Sequence, residues 1–283
     1  MKDKAYQLCR DYLSGSWKSI SSNDMVFTAI SGGLSNLLYH CSLPKTHTPL
    51  VGEPDQVLLR MYGQVHDGQA EANITESAIF MLLSERNLGP KLYGIFPEGR
   101  LEEYIPAKAM TCQELQDPDL SAKIARKLAL IHQLAVPINK EPTWMFEKME
   151  RWLQKIRKDI CVENIDVSKR EYADHLLSQN LESELMWLKL FLQRAASPVV
   201  FCHNDLQEGN ILLPERRSDN EDKVIFIDFE YCSYNYRGFD IANHFLEWCY
   251  DYSLPEYPHF TAKMENFPSQ EQQVCSSALL YCI

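Results

Sequence analysis

Between His203 and Glu230 the chain sets a spaced group of polar residues against two short apolar runs, and this pattern constrains the fold more than any other stretch. The segment opens His203-Asn204-Asp205-Leu206-Gln207-Glu208-Gly209-Asn210. It continues through Ile211-Leu212-Leu213, a charged turn and Val224-Ile225-Phe226-Ile227, and then reaches Asp228-Phe229-Glu230. Short apolar runs bounded by turn residues read as the two strands of a hairpin. Such a hairpin carries the chain out and back, and so returns Asp228 beside Asn210. Asp and Asn oxygens are hard donors that suit Mg²⁺. Any one of these residues alone is what an ordinary turn contains. Their order and spacing carry the information.

That order is the layout of a kinase catalytic loop and metal turn, His-x-Asp-x-x-x-x-Asn followed by a strand-end Asp. Moving a phosphoryl group requires a carboxylate at the acceptor hydroxyl, metal ions at the phosphates, and ligands for those ions. Asp205 is the candidate for the first role, and Asn210 and Asp228 for the metal. Three upstream features fit the same scheme. Ser31-Gly32-Gly33-Leu34-Ser35-Asn36 joins two predicted strands. It reads either as a phosphate-covering turn, with backbone amides and serine hydroxyls as donors, or as a plain hairpin turn. Arg60 sits inside the apolar strand Val57–Tyr62. Either it reaches phosphate through its planar fork or it faces outward on an alternating strand. Glu76 reads as the partner of Arg60 or, three residues after Asn73, as half of a capping box.

Composition bounds the class. The 283 residues suffice for one large or two-lobed domain, with 45% hydrophobic and 24% charged residues. With 28 basic against 39 acidic residues the net charge is −11, which argues against a nucleic-acid or anionic-membrane surface. No apolar run is long enough to span a bilayer. Nine scattered cysteines with no secretory leader point to reduced thiols and a cytoplasmic location.

The pattern predicts a helix around Ala5 to Leu13 and strands at Val26–Ile30, Leu37–Ser42 and Gln56–Tyr62. A helix over Asn73–Leu88 and strands at Leu92–Ile95 and Arg100–Tyr104 follow. The expected class is α+β, a protein-kinase-like two-lobed fold. Residues 1–105 form a sheet-based N-lobe and residues 106–283 a mainly helical C-lobe, with the boundary near Glu103–Pro106. Apolar stripes at Ile124, Leu128, Ile131 and Leu134, at Met149, Trp152, Leu153 and Ile156, and at Leu181, Leu185, Leu188 and Leu192 are read as core. The catalytic hairpin is placed at Val199–Ile227, with a charged tip at Pro214–Asp222.

Longer segments make the reading specific. Ser31–Asn36, Val57–Gly63, Gly89-Pro90-Lys91-Leu92-Tyr93-Gly94, Cys202–Asp205 with Gln207–Leu212, and above all Ile227–Tyr231 through Ser233–Ile241 to Asn243-His244-Phe245 resemble the choline/ethanolamine kinase family over nearly the whole chain. Glu247-Trp248 and Tyr250-Asp251-Tyr252 look like its choline rather than its ethanolamine members. The resemblance implies ATP-dependent phosphorylation of choline, with ethanolamine a lesser substrate, on the way to phosphatidylcholine. It implies that Asp205 accepts the hydroxyl proton, Gln207 supports the loop, and Asn210 and Asp228 hold Mg²⁺. It puts Arg60 on the ATP phosphates with Glu76 behind it, and Glu103 and Ile105 beside adenine. Tyr231, Glu247 and Tyr252 match positions near choline, whose quaternary ammonium is held by aromatic faces and a carboxylate. Trp248, Tyr234, Tyr236 and Phe239 are read as structural, and Arg237 with Asp240 as a brace for the metal turn. Family members commonly dimerise, which implies a homo- or heterodimer. The family continues past the equivalent of Gln270-Glu271-Gln272-Gln273 into further helices that complete the choline pocket. Val274–Ile283 does not resemble that continuation and reads as a truncated or alternatively spliced end. A catalytically inactive partner subunit is the alternative expectation.

Overall fold

The computed structural model describes residues 1–30, 36–63, 69–160, 167–215 and 224–281. The predicted turn residues Ser31, Gly32, Gly33, Leu34 and Ser35, and most of the charged tip, lie outside the described residues. Helix α1 (Lys2–Tyr12) leads into strands β1 (Val26–Ile30), β2 (Asn36–Ser42) and β3 (Gln56–Tyr62), as the sequence predicts. Then come α2 (Gln69–Glu85), β4 (Leu92–Phe96), β5 (Gly99–Glu103) and the short β6 (Ala107–Ala109). These are followed by α3 (Cys112–Leu115), α4 (Pro118–His132), α5 (Trp144–Ile160), α6 (Arg170–Ser178) and α7 (Leu181–Arg194). Next in the chain are β7 (Val199–Cys202), β8 (Ile211–Pro214), β9 (Ile225–Phe226) and β10 (Ser233–Tyr236). Helix α8 (Arg237–Glu247), β11 (Tyr250–Asp251), β12 (Thr261–Ala262) and α9 (Gln270–Tyr281) complete it.

The chain divides into two compact units, residues 1–127 with 207–230, and residues 128–206 with 231–283. The first is built on a five-stranded antiparallel sheet ordered β1-β2-β3-β5-β4. One face buries Val57, Leu59, Met61 and Leu101 with Trp17, Cys41, and Ala5 and Cys9 of α1. Val57, Leu59 and Met61 alternate along β3, so they share a face and Arg60 points to the other. The hairpin β8–β9 joins this unit because β8 also pairs with β6, Lys108 opposite Leu213. The second unit holds α5 to α8 and the pair β7–β10.

Three sequence expectations change. Helix α2 begins at Gln69, not Asn73, because Gln69-Ala70-Glu71-Ala72 are themselves good helix formers. Asn73 and Glu76 therefore lie inside the helix and not at its start. The strand before His203 does not pair with β8. It pairs with β10, Cys202 opposite Ser233, so only β8–β9 form the hairpin. The stripes on α5 and α7 are only half-buried: Met149, Leu185, Leu188 and Leu192 pack against Met145, Phe146 and Tyr236, but Trp152 stands out in solvent. No residue of α7 is buried, and Trp152 and Trp187 are 56% and 59% exposed. Met149, Leu153 and Leu185 also line an open apolar groove of about 360 Å³. In α4 the stripe holds for Ile124, Leu128 and Ile131, but the helix ends at His132, before Leu134. Among the described residues no helix is long and apolar enough to cross a membrane.

Candidate active site

In the sheet-based unit the turn predicted to hold the metal is assembled by its own backbone. Gln207 caps a short helical turn, its Oε1 accepting from Gly209 N at 3.2 Å. Asn210 N bonds Gln207 O, and Ile227 N donates to Asn210 O at 3.0 Å. That last bond closes the hairpin, with Ile211 opposite Phe226, and it sets Asp228 beside Asn210 as the spacing predicts. Asp228 has φ 63°, a left-handed conformation that Asp tolerates better than most residues. Its neighbour Phe229 is buried and meets Phe80 of α2 at 5.9 Å. A Cβ added at Gly89 would lie 2.8 Å from the Phe229 ring, which is why the turn before β4 needs glycine there.

Arg60 Nη1 donates to Asp228 Oδ1 at 3.3 Å. Its carboxylate partner is not Glu76. Arg60 Nε bonds Glu102 Oε1 at 2.9 Å, while Glu76 Oε1 takes Arg100 Nη1 at 2.7 Å. The sheet register gives the reason. Arg60 lies directly opposite Arg100, and Glu102 sits two residues on, hence on the same face and diagonal to Arg60. Burial opposes ionisation of Glu102, but Arg100 and Arg60 beside it outweigh that and hold its carboxyl below the usual range. Burial likewise works against the charge on Arg100, and Glu102 and Glu76 more than offset it. Sequence reasoning missed Glu102 and Arg100, because their pairing depends on strand register. The alternation Arg100-Leu101-Glu102 was the available signal.

Of the remaining nucleotide candidates, Asn36 opens β2 opposite Tyr62. Glu103 Oε2 accepts from Lys91 N at 3.0 Å, and its own N donates to Lys91 O. Ile105 is half-buried just after β5.

In the other unit the loop ahead of Asp205 hangs on one buried carboxylate. Asp240 of α8 accepts from His203 N at 2.9 Å, Asn204 N at 2.8 Å and His132 Nε2 at 2.8 Å. Burial pushes its carboxyl up, and the bond and charge of His132 pull it further down, to below the ordinary value. Where the sequence paired Asp240 with Arg237, these bonds tie it to the catalytic loop and to α4. Asn204, at φ 67°, donates to Tyr231 O and Ser233 Oγ and accepts from Asn235 Nδ2. With every polar atom of that side chain bonded, the backbone is fixed immediately before Asp205. Leu206 N then donates to Asn243 Oδ1, and His244 Nδ1 bonds Leu206 O at 2.9 Å. Burial lowers the pKa of His244, so the ring is neutral. Its Nδ1 carries the proton for Leu206 O, and Nε2 accepts from Trp248.

The choline candidates lie in this unit. Tyr231 packs on Trp144 at 5.7 Å, with Lys148 Nζ 5.4 Å from its ring centre. Glu247 is buried, which pushes its carboxyl up, and it accepts from the Tyr252 hydroxyl at 3.0 Å. Tyr252 stays half exposed. Trp248 is buried, and Tyr234 bonds Val136 N through its hydroxyl, both structural as read from the sequence.

A five-stranded antiparallel sheet, a helix inserted after its third strand and a hairpin running from Asn210 to Asp228 have the layout of a kinase-type phosphotransferase of the protein-kinase-like fold. The family model described as choline/ethanolamine kinase matches residues 27–276. A human protein named choline/ethanolamine kinase is 48% identical over 96% of this chain and 67% of its own length. Mouse choline kinase alpha is 44% identical over 96% of this chain and 63% of its own. The crystal structure of a choline kinase from Cryptosporidium parvum superposes with a TM-score of 0.77 at 28% identity, over 99% of this chain and 78% of that one. This chain belongs to the choline/ethanolamine kinase family.

Proposed function

We propose that the protein transfers the γ-phosphoryl group of ATP to the hydroxyl of choline, the first step toward phosphatidylcholine. The observation that carries this is the convergence of Arg60, Asn210 and Asp228 at one turn, with Arg60 Nη1 3.3 Å from Asp228 Oδ1. A guanidinium for phosphate beside two hard oxygen donors for a metal is the pairing that phosphoryl transfer uses. Mg²⁺ is the ion that donor set suits. Asn210 and Asp228 would hold it, and it would supply positive charge against the developing negative charge of the phosphoryl group. Asp205 takes the proton as the choline oxygen bonds to phosphorus and the bond to the ADP oxygen breaks. Gln207 keeps the loop shaped through Gly209, and Glu103 and Ile105 flank adenine. On the family resemblance, Ser31–Asn36 belongs to the ATP-binding residues of the same proposal.

Choline rather than ethanolamine is favoured by Tyr231, Glu247 and Tyr252. A quaternary ammonium donates no hydrogen bond and is held by aromatic faces and a carboxylate, whereas a primary ammonium needs acceptors. The same proposal includes lobes at 1–105 and 106–283, a dimer with family members, and a cytoplasmic setting. The change from mostly strand to mostly helix near residue 110 supports the first of these. Free cysteines at positions 9, 41, 112, 202, 232, 249 and 275 are consistent with the last. The test is kcat/KM for choline and ethanolamine side by side, with Asp205→Asn as control. Turnover preferring choline and abolished in the control is expected. A clear preference for ethanolamine contradicts the substrate assignment. Folded protein without turnover would point to the non-catalytic partner subunit.

A further inference from the structure

The buried charges on one face of β3 and β5 carry an inference that rests on the phosphate-binding role proposed for Arg60 and deepens it. Arg60 and Arg100 face each other across the two strands. Both are buried, Arg100 completely. Like charges directly opposite in a sheet repel, so each guanidinium needs a carboxylate. One oxygen, Glu102 Oε1, serves both, receiving Arg60 Nε at 2.9 Å and Arg100 Nε at 3.0 Å. Arg100 continues the line. Its Nη1 meets Glu76 Oε1 of α2 at 2.7 Å, and its guanidinium lies 4.4 Å from the ring centre of Phe80 on the same helix. Phe80 packs on Phe229, next to Asp228, and Asp228 takes Arg60 Nη1. The contacts therefore form a closed ring through β3, β5, α2 and the metal turn. Glu102 holds the Nε edge of Arg60, which leaves the Nη edge aimed at the turn where phosphate would sit.

We propose that Glu102 is the positioning carboxylate for Arg60, and that Arg100, clamped between Glu102 and Glu76, ties that arginine to α2 so that helix and phosphate-binding fork are set together. Arg100 and Glu102 touch no substrate in this scheme and act only through Arg60.

Double-mutant cycles on magnesium-ADP affinity test this, measured by calorimetry on the full chain. Glu102→Gln keeps the volume and an acceptor but removes the charge. It should weaken magnesium-ADP binding about tenfold, the loss expected for one charge-assisted hydrogen bond, with KM for choline unchanged. Glu76→Gln should weaken it by roughly threefold. In an Arg60→Ala background neither change should have any further effect. Losses that add to that of Arg60→Ala would overturn the proposal, because the carboxylates would then act elsewhere. Unchanged binding in Arg60→Ala alone would overturn the phosphate role of Arg60 itself, a separate and earlier failure. If Glu102→Gln does not fold, Glu76→Gln in the two backgrounds makes the same comparison, and additivity there overturns the proposal equally.

Discussion

Asp240→Asn should be among the most damaging conservative changes in this protein. The carboxylate is fully buried and takes three donors, His203 N, Asn204 N and His132 Nε2, all within 2.9 Å. Asparagine keeps the volume and one oxygen, but it turns an amide donor toward groups that are themselves donors. At least one buried N–H loses its partner, at about 1–3 kcal/mol. Removing the charge opposite His132 brings the expected loss to roughly 3–5 kcal/mol, a large part of the 5–15 kcal/mol typical of a domain. The pH dependence adds a second signature. The carboxyl of Asp240 lies below its ordinary value of 3.8. Its stabilising contribution is therefore complete above that value and is lost as pH falls through the lower, folded-state value. Urea unfolding at pH 7 and along a series down to pH 3 measures both. The variant should unfold at lower urea and show a flatter acid limb. A loss below about 1 kcal/mol at pH 7, or an unchanged acid limb, would refute the reading of Asp240 as the anchor of the catalytic loop.

Gly99→Ala should destabilise by about 3 kcal/mol, since a Cβ there would lie 2.0 Å from the Arg60 carbonyl oxygen, a backbone atom that cannot yield without breaking β3–β5. Urea unfolding checks it. Burial raises the carboxyl of Glu247 above its ordinary 4.5, so KM for choline should fall as pH rises through that raised value, and Glu247→Gln should flatten the profile. Trp152→Ser with Trp187→Ser should reduce binding of an apolar dye and change stability by less than about 1 kcal/mol, because both indoles are more than half exposed. A large loss of stability would mean that the groove is packed.

The sequence was most legible where one signal dominated. The apolar run around Arg60 marked β3, and the run from His203 to Asp228 marked the loop, the β8–β9 hairpin and the turn at Asp228. It misled where two signals shared the same residues. Asn73 and Glu76 have capping-box spacing, yet the residues before them continue the helix, so Glu76 lies in its interior and meets Arg100. The leucine stripe of α7 has the period of a core helix but is only half-buried, packing on Phe146 and Tyr236 while part of it lines the groove, because periodicity reports amphipathicity and not how fully it is covered. The pairing of Arg60 with Glu102 and the bonds of Asp240 to the loop join residues 42 and 36 or more apart. Only strand register and the packing of α8 bring them together, and neither is written locally.

The most direct measurement is phosphorus NMR of ATP, choline and Mg²⁺ with the purified chain, run beside Asp228→Ala. Phosphocholine should grow in as ATP is converted to ADP, and neither change should occur in the variant or in the presence of EDTA. Phosphocholine formed at the wild-type rate by Asp228→Ala would contradict the metal-turn reading on which the proposed function stands.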